Sequence, residues 1–114
     1  MNRFIMSYPV KFERQSNLEN TNSYPGIKLI QNCDHEEFYK AAVFIENLLR
    51  VEFFNKVNDY DSFFLDFRYK SCVLTLHHNV FLGVSIYPAN CWNYGLDDEK
   101  ALEEIYQSLT DVTK

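Results

Sequence analysis

Glycine, proline and cysteine are scarce, with three of each in 114 residues. Gly26, Gly83 and Gly95 stand alone, so there is no glycine-rich phosphate loop and no GxSxG nucleophile elbow. Cys33, Cys72 and Cys91 are odd in number and far apart. They form neither a disulfide framework nor a CxxC pair, and they fit a reducing compartment, so a cytoplasmic location is expected. No apolar run approaches the length of a membrane span, and MNRFIMSYPVKFER lacks the apolar core of a signal peptide. Positive charge is in the minority, 11 Lys and Arg against 16 Asp and Glu, for a net charge of −5. That balance disfavours direct contact with nucleic acid, which wants a basic face, and suits a basic protein partner. No internal repeat, low-complexity tract or linker divides the chain.

What the chain does have is apolar and aromatic. Hydrophobic residues are 46% and charged residues 24% of the total, the balance of a globular domain. Residues 1–114 are expected to form a single domain. Ten Phe, eight Tyr and one Trp supply ample ring area for a core and leave some for a surface.

The stretch from Phe63 to Tyr87, FFLDFRYKSCVLTLHHNVFLGVSIY, has three short apolar segments with small breaks between them. It predicts a three-stranded antiparallel meander. Period-two alternation puts Phe63, Leu65, Phe67 and Tyr69 on one face. A two-residue turn at Lys70-Ser71 then sets Tyr69 opposite Cys72, Phe67 opposite Leu74 and Leu65 opposite Leu76. A three-residue turn at His77-His78-Asn79 would pair Leu76 with Val80, Leu74 with Leu82 and Cys72 with Val84. It is preferred over a two-residue turn because a one-residue slip would turn Leu82, Val84 and Ile86 outward. The outer face would carry Asp66, Arg68, Val73, Thr75, Phe81, Ser85 and Tyr87.

Around the meander, Val10–Arg14 and Ile27–Gln31 alternate as strands, and residues 15–25 have loop chemistry ending in Pro25-Gly26. Phe4, Ile5 and Met6 could add a strand or an arm. Asp34 followed by Glu37 is a capping box. Phe38, Ala41, Ala42, Ile45, Leu48, Leu49 and Phe53 recur at helical spacing, so a helix is expected from Asp34 to Phe54, with 55–61 as its exit. Asp97 is the expected cap of a second, short helix whose stripe is Ala101, Leu102, Ile105, Tyr106 and Leu109, with 110–114 frayed. The expected fold class is α+β: an antiparallel sheet of about four to five strands with a C-terminal three-stranded meander, the long helix on one face and a short C-terminal helix.

Chemistry-bearing residues do not converge on a motif. His77 and His78 fall at a turn, and no Cys or His spacing matches a metal site, so neither metal nor cofactor is expected. Cys72 belongs to the inward face as an inert thiol. Asp59 with Asp61, and Asp97 with Asp98 and Glu99, are better explained by loop solvation and helix capping than by acid–base catalysis. An interaction surface remains. Tyr87, Trp92 and Tyr94 lie close in sequence to Asp97, Asp98 and Glu99, and aromatic anchors beside acids suit a basic partner. Asp59, Tyr60 and Asp61 form a second such candidate, and Glu103 and Glu104 extend the acidic side of the helix.

The helix-then-meander segment, with FLDFRYKSCVLTLHHNVFLGVSIYP followed by an acidic helix, resembles the small immunity proteins encoded beside bacterial polymorphic toxins, including those of contact-dependent growth inhibition. The resemblance spans about Asp34 to Leu109 and is one of type, a short acidic aromatic-rich α+β chain. It implies a non-enzymatic protein that binds a cognate toxin, often a nuclease, and neutralises it stoichiometrically. An adaptor domain and a small Cys/His enzyme are the alternative readings.

Overall fold

The computed structural model describes residues 11–16, 23–30, 34–59 and 61–113. The strands are β1 (Lys11–Ser16), β2 (Ser23–Ile30), β3 (Phe53–Asp59), β4 (Ser62–Tyr69), β5 (Cys72–Asn79) and β6 (Gly83–Pro88). The helices are α1 (His35–Leu49) and α2 (Leu96–Thr113), and a 3-10 turn, Cys91–Asn93, links β6 to α2. The strands form one antiparallel sheet in the order β1-β2-β6-β5-β4-β3. The class is α+β as expected, but six strands replace the four or five anticipated. The expected arm at Phe4–Met6 and the residues 17–22 lie outside the described residues.

The missed strand is β3. Phe53 continues the helical spacing of Leu49, but α1 stops four residues earlier. Arg50 adopts the left-handed conformation, with φ 56° and ψ 52°, and its amide and that of Val51 both reach the Glu46 carbonyl. This C-terminal cap reverses the chain, and residues 53–59 pair with β4 instead of forming an exit loop. At the other end the capping box forms: the Asp34 side chain accepts from the Glu37 amide at 2.9 Å. β2 begins at Ser23, so Pro25 and Gly26 lie in a strand rather than a loop. Pro25 pairs with Arg14 of β1, while the recorded β2–β6 pairing starts only at Ile27. A residue without an amide hydrogen is tolerated where one side of the strand has no ladder.

The meander forms with its first turn in the expected register: Tyr69 opposite Cys72, Phe67 opposite Leu74, Leu65 opposite Leu76. The second turn also has three residues but lies at Val80-Phe81-Leu82, not at 77–79. Leu76 therefore faces Ile86, and His78 faces Val84. The Asn79 side chain fixes the turn by accepting from the Phe81 and Leu82 amides at 2.9 and 3.0 Å. Gly83 follows at φ 93°, a value that side chains resist. The displacement leaves Phe81 and Leu82 at 74% and 64% exposure, so Leu82 is not core and Phe81 belongs to the turn rather than to the outer face.

One face of the sheet packs against both helices. Ile27, Phe67, Leu74, Leu76, Val84 and Ile86 join Phe38, Ala41, Ala42 and Ile45 of α1 and Ala101, Leu102, Ile105 and Leu109 of α2 in a single core. A bulge between Lys28 and Ile30 lets both Leu29 and Ile30 turn inward. Full burial of each large apolar side chain stabilises the fold by about 1.5–3 kcal/mol. The second helix is not short. It runs 18 residues, through the stretch expected to fray, and Gly95 rather than Asp97 stands at its start. The Gly95 carbonyl accepts from the Asp98 and Glu99 amides, and the Asp98 carboxylate accepts from the Gly95 amide at 2.8 Å.

Candidate functional site

The six residues singled out from the sequence occupy two places. Tyr87 is on the outer face of β6, opposite Thr75. Its hydroxyl lies 3.3 Å from His77 Nδ1 and its ring 5.5 Å from that of Tyr24. Burial, then Tyr24, Cys91 and Asp66, push its hydroxyl pKa upward. Tyr94, Asp97, Asp98 and Glu99 lie at the start of α2, on the helix-covered side, and Trp92 sits in the 3-10 turn between the two places. Asp97 is exposed, while Tyr94, Asp98 and Glu99 are half-buried.

The acids have unequal duties. Asp98 holds the helix start through Gly95 and lies by Cys72, whose thiol pKa is raised by burial and then by Asp98. Glu104 accepts from Lys70 Nζ at 2.6 Å and from the Tyr69 hydroxyl at 3.0 Å, clasping the first hairpin turn to α2. Asp97 and Glu103 are exposed on α2. Of the second acidic candidate, Asp59 is exposed at the end of β3 and Tyr60 lies outside the described residues. The Asp61 carbonyl is engaged, accepting from the Val80 amide at 3.1 Å.

Two features escaped sequence reasoning. The first is a polar–aromatic cluster on the outer face. His77 and His78 are strand residues, not turn residues, and they face opposite ways. His78 is inside, stacked 4.9 Å from Phe38. His77 is outside, stacked 4.2 Å from Phe64 with the rings 12° from parallel. Nearby, Asp66 accepts from the Thr75 hydroxyl at 2.7 Å and from Asn55 at 3.3 Å. Asp66, Thr75 and Tyr87 share the outer face as expected, and misplacing the second turn hid the place of His77 among them.

The second is a groove of about 370 Å³ between α1 and β3. Tyr39, Val43 and Glu46 form its helix wall, Lys56 and Val57 its strand wall, with Phe63 between. Tyr39, Val43 and Val57 are each half exposed or more. The i,i+4 pair Tyr39 and Val43, off the main apolar stripe, was the available signal.

Among the described residues no group of three or more His, Cys, Asp or Glu could hold a metal ion. Burial pushes the Cys91 thiol up as it does that of Cys72, which is the wrong direction for a nucleophile. No described helix is long and apolar enough to cross a membrane. No protein-family model, curated protein or solved structure matches the chain.

Proposed function

We propose that this chain is a cytoplasmic immunity protein that binds a cognate, basic, nuclease-type toxin and neutralises it by one-to-one occlusion, with no reaction of its own. The resemblance of the helix-then-meander segment to polymorphic-toxin immunity proteins suggests the class. The observation that carries the reading is the start of α2, where Asp97 is exposed beside half-buried Tyr94, Asp98 and Glu99. Aromatic groups give such a surface its anchors, and acids steer a basic partner toward it. Tyr87 would extend the contact toward the outer face of the sheet, and Trp92 is proposed as part of the same surface. The test is to co-express the chain with the product of the adjacent gene, recover the complex and titrate the toxin's activity. Activity should vanish at one equivalent of the chain. Activity that persists past equivalence, or a neighbour that is no toxin, rejects the reading.

A second reading has its own support. The groove between α1 and β3, with Tyr39 and Val43 exposed along its helix wall, suits an adaptor domain that docks an apolar segment. The two readings separate by substitution: Asp97→Lys weakens the first mode of binding, and Val43→Asp weakens the second.

A further inference from the structure

His77 occupies the middle of the outer-face row Phe64, His77, Ser85 and Lys28, one residue from each of four neighbouring strands. Its ring lies flat on Phe64 and meets the Tyr87 ring edge-on at 5.9 Å, and Tyr87 in turn leans on Tyr24. Nδ1 faces the Tyr87 hydroxyl. Nε2 is buried without a hydrogen-bond partner among the described residues. A neutral imidazole has one donor and one acceptor; a protonated one has two donors and needs two acceptors. The Tyr87 hydroxyl can rotate to accept once. Nothing described is placed to accept from Nε2.

We propose that the cluster of Phe64, His77, Tyr87 and Tyr24 is a proton-operated element, in which protonation of His77 drives its ring out from beside Phe64 and Tyr87 and loosens the outer face of the sheet. The groups around the ring favour this outcome. Lys28 of β2 and His78 of β5 both act on His77 against a positive charge. Asp66 of β4 is the carboxylate of the cluster, but Thr75 and Asn55 already hold it. Tyr24, Tyr87 and Cys91 are all held toward their neutral forms by burial. The Phe64 face attracts a cation, but it offers no acceptor in the ring plane to the Nε2 proton. Burial, first, and then the two neighbouring basic groups lower the His77 pKa to about 4, in keeping with this geometry. Tyr87 leads into the 3-10 turn before α2, so the element adjoins one end of the proposed partner surface.

The experiment is a nuclear magnetic resonance titration of the full chain from neutral pH to mildly below pH 4, following the ring signals of the three histidines and of Tyr24 and Tyr87. His77 should titrate about two and a half pH units below a solvent-exposed histidine. The Tyr24 and Tyr87 signals should move in the same step, and His77→Gln should abolish it. A His77 midpoint at the ordinary value overturns the proposal. So do tyrosine rings that stay still through the His77 step, or a step that survives in His77→Gln. Should that variant fail to fold, the titration of the unaltered chain decides alone.

Discussion

The two faces of the sheet use similar residues for different ends. Phe67 and Phe64 stand three residues apart in β4. Phe67 is wholly buried beneath the helices, with Phe53 edge-on at 5.8 Å. Phe64 is half-buried on the outer face and lies on His77. Among the described residues the buried polar side chain of the inner face is His78, stacked among rings, whereas the outer face mixes carboxylate, hydroxyl, imidazole and phenol. Stability is therefore concentrated on the inner face, where every ring displaces water. The outer face is held by directional contacts that a proton or a single substitution can undo.

The largest expected effect tests that division. Phe67→Ala should cost about 3–5 kcal/mol in urea unfolding, from lost burial and the cavity left behind. Phe64→Ala should cost less than half of that, about 1–2 kcal/mol, because its ring is only partly withdrawn from water. Similar losses for the two would erase the distinction.

Acid should act through the outer face. The folded-state pKa of His77 lies below its unfolded value, so between about pH 6.5 and about 4 the unfolded chain binds the extra proton. The stabilisation from His77 is complete above that window and is lost as pH falls through it. Allowing for partial solvation of the ring, the loss should be about 1–2 kcal/mol, measured as the difference in urea stability between pH 7 and pH 4. His77→Gln should flatten that part of the profile, and an unchanged slope would assign the acid sensitivity to other groups.

Smaller effects belong to the scaffold's joints. Thr75→Val leaves the Asp66 carboxylate without one donor and should cost about 1–2 kcal/mol. Asp34→Ala removes the α1 cap and should cost about 1 kcal/mol, read from the same unfolding curves. Lys70→Ala should hardly shift the midpoint, because its bond to Glu104 is solvent-exposed.

Much of the fold was legible because alternation is a strong signal. The register across Lys70-Ser71 follows from two apolar rows that must share a face. The second turn was not legible in the same way. Moving a three-residue turn from 77–79 to 80–82 preserves parity, so Val84 and Ile86 face inward in either register and burial cannot choose between them. Local chemistry chooses: the Asn79 side chain accepts two amides and Gly83 supplies the positive φ. β3 was hidden because Phe53 satisfies helical spacing from Leu49 while Arg50, a residue with no special liking for the left-handed region, ends the helix. The candidate site was legible only as a sequence cluster. That Asp98 is occupied at Gly95 while Asp97 is open follows from cap geometry, which places Gly95 two residues before the expected start.

The central claim is that the helix-covered face is scaffold and that the start of α2 meets the partner. Its most direct measurement is the association rate of the chain with the product of the adjacent gene, the proposed toxin, for Asp97→Lys and Val43→Asp, at low and high salt. Asp97→Lys should slow association several-fold at low salt, the gap should narrow as salt screens the charge, and the unfolding midpoint should fall only slightly, because a lysine in the first turn of α2 opposes the helix dipole by about 0.3–1 kcal/mol. Unchanged association for Asp97→Lys, with the loss appearing in Val43→Asp instead, would contradict the claim and move the interface to the groove between α1 and β3.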